Sequence, residues 1–155
     1  MKICIVGLGL IGGSLAKAIK KNTHESCFGI DIDRGTIAGA LAQEAIDGEM
    51  TIDDLAGCDV VIVGLHPEAT IKFITENADK FKKGGIVLDT CGVKGEIVRA
   101  VEGVCIENGV NFLGCHPMAG REFSGFAYSV DNLFEKASFI TVSYTHLTLP
   151  TKRIV

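Results

Sequence analysis

A glycine-rich turn close to the start constrains this chain more than any other feature. The apolar run Ile3-Cys4-Ile5-Val6 leads directly into Gly7-Leu8-Gly9-Leu10-Ile11-Gly12-Gly13-Ser14. The residues that follow keep a helical period of apolar positions, at Leu10, Ile11, Leu15, Ala18 and Ile19. The pattern reads as strand, tight turn, helix. Gly7 permits the turn, Gly9 lets backbone approach a ligand closely, and Gly12 lets the helix pack hard on the strand. The N–H groups of Leu10, Ile11 and Gly12 then open a helix whose N-terminus carries partial positive charge, which suits a diphosphate. A Gly-x-Gly-x-x-Gly run alone is a weak signal. Its context here, between a strand and a helix with an acid at the end of the next strand, makes it a dinucleotide-binding signature.

That acid is Asp31, in Cys27-Phe28-Gly29-Ile30-Asp31-Ile32-Asp33-Arg34, 19 residues beyond Gly12. A carboxylate at this spacing accepts hydrogen bonds from the adenosine ribose and repels a 2′-phosphate, which favours NAD over NADP. Asp31 could equally be a turn or capping aspartate. Arg34 is cofactor-facing in this reading and complicates it, because a guanidinium can hold a phosphate or stack on adenine.

Apolar runs and helical patterns alternate along the whole chain. Strands are expected over 2–6, 27–30, 60–65, 86–88 and 111–115, and helices near 11–20, 34–43, 68–81 and 95–108. The strands are almost wholly apolar rather than alternating, as in a parallel sheet covered on both faces. The expected fold class is α/β, a doubly wound, mostly parallel sheet. Ligands of such sheets lie outside the carboxyl ends of the strands. The informative loops are therefore 7–13, 31–34, 64–68, 89–94 and 116–125.

Bulk properties narrow the classes further. Net charge is −4 and there is no basic cluster, which argues against nucleic acid as partner. No apolar stretch approaches the roughly 18 residues of a membrane span. The chain opens on a strand rather than a secretory signal. Six cysteines, none in a Cys-x-x-Cys pair, read as buried thiols of a reducing cytoplasm rather than as disulfides or metal ligands.

The second chemically loaded segment is Gly114-Cys115-His116-Pro117-Met118-Ala119-Gly120-Arg121-Glu122-Phe123-Ser124-Gly125. His116 ends a strand and meets a proline, which holds its backbone extended. An imidazole at that edge would face the nicotinamide end of a dinucleotide lying across the sheet. Its neutral form accepts a proton near pH 7. A histidine merely satisfied by hydrogen bonds at a strand end has the same pattern. His66, in Gly64-Leu65-His66-Pro67, ends another strand and is expected to line the cofactor channel. His24 lies in a polar turn.

The glycine turn, Asp89-Thr90-Cys91-Gly92-Val93-Lys94-Gly95 and His116-Pro117-Met118-Ala119-Gly120-x-Glu122 occur in this order, and together they resemble the prephenate dehydrogenase family. The resemblance covers residues 1 to about 141. It implies a Rossmann-type nucleotide-binding domain and NAD-dependent oxidative decarboxylation of prephenate to 4-hydroxyphenylpyruvate, on the route to tyrosine. It implies His116 as the base that takes the ring-hydroxyl proton. It also implies Lys94 and Glu122 as supports of the substrate or of its loop, with a solvated helix-start lysine and a surface ion pair as the plainer readings. Many relatives carry serine where this chain has Gly92, so a hydroxyl that could bond substrate or histidine is missing here. The resemblance further implies a helical second domain that dimerises and grips the substrate carboxylate. The first 141 residues alone are then expected to bind NAD and turn over poorly. Arogenate dehydrogenase, another NAD(P) dehydrogenase or a nucleotide-sensing module without chemistry are the competing readings.

Residues 142–155 do not continue the pattern. Val142 to Leu147 back-translate as GTC TCT TAT ACA CAT CTG, similar to the mosaic end of transposase-based library kits. This segment is expected to be foreign, with the domain spanning 1–141.

Overall fold

The computed structural model describes residues 1–142; the segment expected to be foreign lies, from residue 143 onward, outside the described residues. Seven strands form one sheet in the order β3-β2-β1-β4-β5-β6-β7. They are β1 (Lys2–Val6), β2 (Ser26–Ile30), β3 (Gly48–Glu49), β4 (Val60–Val63), β5 (Ile86–Asp89), β6 (Asn111–Pro117) and β7 (Phe139–Val142). The first six are parallel, and β7 closes the edge antiparallel to β6. The helices are α1 (Leu10–Asn22), α2 (Arg34–Ala42), α3 (Pro67–Asn77) and α4 (Gly95–Glu107). The doubly wound, mostly parallel α/β sheet expected from the sequence is therefore present.

Alternation along the strands assigns the two faces. Ile3 and Ile5 of β1 and Ile62 of β4 join one core with Ala16 of α1, and with Ile37 and Ala40 of α2. Cys4 and Val6, with Val61 and Val63, join the other with Ile74 of α3, and with Ile97 and Val101 of α4. Both faces are covered, which is why the strands carry apolar residues at nearly every position. At about 25 cal/mol per Å² of apolar area, this two-sided burial is the main stabilising term.

Local signals set the helix ends. Asp33 caps α2 by accepting from the N–H groups of Gly35 (2.8 Å) and Thr36 (3.2 Å). Pro67 starts α3, where its missing N–H costs nothing. α1 ends on two lysines, Lys20 and Lys21, which suit its negative terminus. α1 begins at Gly9 with no side-chain cap and no acid in its first turn.

Two strands were not expected. β3 is only two residues long, too short for periodicity to reveal. β7 pairs Phe139 with Pro117 and Ile140 with His116. Between β6 and β7, residues 118–131 cross over α1. Phe126 packs in the α1–α2 core, the Val130 N–H donates to Ser14 Oγ (3.0 Å), and Lys17 Nζ donates to the Ser129 carbonyl (2.9 Å).

Candidate functional site

Strand order reverses between β2 and β4 on either side of β1, so the crevice opens where β1 and β4 end. Gly7 sits there with φ +87°, a left-handed conformation that glycine adopts freely. A Cβ on Gly7 would lie 2.7 Å from the Gly64 carbonyl oxygen, and one on Gly12 only 1.9 Å from the Gly7 carbonyl oxygen. Both glycines are thus required by contact between turn, helix and β4. Gly9 differs, because an added Cβ there would meet nothing within 4 Å. That open space lies beside the first turn of α1 at Leu10, Ile11 and Gly12, which no side chain caps, and an uncapped helix start suits an anion.

Asp31, partly buried, has a structural task. Its Oδ2 accepts from the Leu8 N–H (2.8 Å) and its Oδ1 from the Asp33 N–H (2.8 Å). One carboxylate thereby fixes the glycine turn against the end of β2. Each oxygen keeps a second lone pair for a ribose hydroxyl. Arg34 is engaged elsewhere, in a two-pronged ion pair with Glu49 of β3 whose second arm measures 2.9 Å. The Arg34 side chain stays 72% exposed in this pair.

His116 lies on β6, half-buried, at the carboxyl end of the sheet that also carries the glycine turn. Its ring lies against Gly92: a Cβ added there would be 3.3 Å from Nε2 and 3.4 Å from Cε1. A serine in that place would bring its hydroxyl beside the imidazole, so the departure at Gly92 falls on the ring itself.

Lys94 is not a solvated helix-start lysine. Its Nζ pairs with Asp89, and the two side chains are 14% and 0% exposed. Asp89 is the residue that sequence reasoning left without a role. Its Oδ2 also accepts from the Cys91 N–H (3.0 Å) and its Oδ1 from the Cys115 N–H (3.2 Å). In the sequence Asp89 shows only as an acid closing an apolar run, five residues before a lysine, which does not announce these bonds. Cys91 Sγ continues the linkage by donating to the Leu65 carbonyl (3.3 Å), on the loop before α3.

His66 occupies the position before Pro67 with an exposed side chain that makes no capping bond, and its carbonyl accepts from the Thr70 N–H (2.8 Å). Glu122 is exposed on the crossing segment, and no ion pair involves it among the described residues. The structure brings His116, Gly92, Lys94 and Asp89 together and leaves Glu122 apart from that cluster's bonds. No group of His, Cys, Asp and Glu among the described residues could hold a metal ion, and no described helix is long and apolar enough to cross a membrane.

Comparison with known proteins agrees with this fold. The family model described as "Prephenate dehydrogenase, nucleotide-binding domain" matches residues 15–148. A prephenate dehydrogenase of Lactococcus lactis is 32% identical over 142 residues, covering 90% of this chain and 40% of that protein. This chain therefore spans well under half the length of that curated relative. Among solved structures, Synechocystis arogenate dehydrogenase superposes with a TM-score of 0.87 at 25% identity, covering 97% of this chain and 52% of the other. Prephenate dehydrogenase from A. aeolicus, in complex with hydroxyphenyl propionate and NAD+, gives 0.84 at 29% identity, covering 94% and 51%. With the family model matching most of its length, this chain belongs to the prephenate dehydrogenase family, of which it carries the nucleotide-binding domain.

Proposed function

We propose that this chain is the cofactor-binding part of an NAD-dependent dehydrogenase that oxidatively decarboxylates prephenate. The observation that carries the reading is the placement of two features on one sheet edge. An uncapped helix start faces open space at Gly9, and the half-buried imidazole of His116 stands at the end of β6. The A. aeolicus relative, solved with NAD+ and hydroxyphenyl propionate, supports both the cofactor and an aromatic acid as substrate class.

When bound, NAD supplies the hydride acceptor. The residues of this chain bind the cofactor and supply the base. The amides of Leu10, Ile11 and Gly12 hold the diphosphate, and Asp31 holds the ribose and disfavours a 2′-phosphate there. Neutral His116 accepts the proton of the ring hydroxyl as the carbon bearing it loses hydride. The bond to the ring carboxylate then breaks, carbon dioxide leaves, the bond's electron pair completes the aromatic ring, and the resulting phenolate oxygen takes back the proton held by His116. A positioned base of this kind contributes about 10²–10⁴-fold, and holding donor and acceptor side by side supplies much of the remainder. Lys94 supports the loop through Asp89, and Glu122 shapes the approach from the exposed side. His66 lines the cofactor channel.

Arogenate is the second reading, supported by the likeness to the Synechocystis enzyme. The two substrates differ at a side-chain keto or amino group. We place the full-length protein in the cytoplasm as a homodimer, with substrate-carboxylate contacts outside this chain. Titrating the chain with NADH and NADPH, then comparing rates of the full-length protein on prephenate and arogenate, tests the reading. Tight NADH binding and prephenate-dependent NADH formation support it. Absence of dinucleotide binding by the chain would overturn it.

A further inference from the structure

We propose that Asp89 and Lys94 are positioning residues that hold the imidazole of His116 in place through the backbone on either side of it. The inference rests on the reading of His116 as the base. The Asp89 carboxylate is wholly buried at the end of β5. It accepts from two main-chain amides 24 residues apart, Cys91 (3.0 Å) and Cys115 (3.2 Å). Each precedes a wall or the root of the ring. Cys91 precedes Gly92, whose backbone faces Nε2. Cys115 precedes His116 itself. One carboxylate therefore fixes the separation between the loop that the ring rests on and the strand that carries the ring.

Lys94 completes the device. Its ammonium pairs with Asp89 and supplies the opposite charge that a buried carboxylate requires. Its stem lies against β6, with Cδ 3.3 Å from where a Gly114 Cβ would stand. Gly114 pairs with Asp89 across the strands and lies two residues before His116, on the same face. Both charged side chains and the imidazole share one patch of sheet. Moving Asp89 would move the floor and the anchor of the ring together, whereas the glycine turn on β1 is held separately by Asp31.

NMR of the 155-residue chain tests this. In the parent, His116 ring protons should show NOEs to the Gly92 α-protons, as the ring's approach to that residue requires. Lys94→Met keeps the stem and removes the charge. It should lose those NOEs while the amides of Gly7, Gly9 and Gly12 keep their parental shifts, and Lys94→Arg should retain them. Retention of the NOEs in Lys94→Met, or their equal loss in Lys94→Arg, would overturn the proposal. If Lys94→Met fails to fold, the double variant Asp89→Asn/Lys94→Met removes both charges at nearly constant volume. A folded double variant that has lost the NOEs supports the proposal, one that keeps them contradicts it, and failure of both variants to fold overturns it by making the pair a general strut. The readout is ring geometry rather than turnover. A His116→Ala protein that keeps full turnover would sink the base assignment without touching this result.

Discussion

Gly12 and His116 carry opposite kinds of constraint, one of space and one of chemistry. An alanine at 12 would place its Cβ 1.9 Å from a backbone oxygen, and no flexible side chain is available to yield. Gly12→Ala should therefore cost at least about 2 kcal/mol, seen as a lower melting temperature, and should abolish NADH binding in a fluorescence titration. His116→Ala should leave folding and NADH affinity intact. In the full-length protein it should lower prephenate-dependent NADH formation by about 10²–10⁴-fold. Both residues were legible from sequence, because each sits in a dense local motif. Asp89 and Asp31 were only half legible. Their partners, Cys115 and Leu8, are 26 and 23 residues away, and no local pattern announces a carboxylate that bonds distant amides. Arg34 shows the same limit, since its partner Glu49 lies on a strand that the sequence did not reveal.

Among the elements, Asp47 ties the edge at β2 and β3 to α1. Asp47 accepts from the Cys27 N–H at 2.7 Å, its own N–H donates to the Cys27 carbonyl at 2.6 Å, and it pairs with Lys20 of α1. Lys20 first, and then the Cys27 amide, hold the Asp47 carboxyl below its ordinary value of 3.8 against an opposing effect of burial. A depressed carboxyl stabilises the fold fully above its unfolded-state value and loses that contribution as pH falls through the lower folded one. The urea midpoint of Asp47→Asn should thus lie below the parent's at pH 7, and the gap should narrow as pH drops below about 3.8. A gap unchanged from pH 7 to pH 2.5 would show that the charge is not what matters. The short β3 and the antiparallel β7 escaped sequence analysis because neither is long or periodic enough to outweigh a loop reading. The long helices and parallel strands were legible because two-sided burial writes an unbroken apolar run.

At the scale of the molecule, burial governs the thiols as it governs the sheet. All six cysteines are free and buried. Desolvation pushes Cys105 and Cys115 up to about 11 and Cys27 up to about 12. A thiol reagent at pH 8 should react slowly with the native chain and rapidly with all six cysteines once it is unfolded. A raised thiol pKa stabilises the fold fully below the unfolded value of 9.0 and loses that contribution as pH climbs toward the folded value. Urea midpoints should therefore fall between pH 9 and about 11. The same two-layer burial leaves polar residues to gather at the carboxyl edge, where the glycine turn, Asp31, Asp89 and His116 converge from four strands. The central claim is that a dinucleotide lies across this edge, its diphosphate on α1 and its nicotinamide toward β6. A crystal structure of the chain with NAD+ measures this directly. The account predicts phosphate oxygens within hydrogen-bond distance of the Leu10–Gly12 amides and the nicotinamide ring on the His116 side of β4. A diphosphate seated away from α1, or a nicotinamide over β2 and β3, would contradict it.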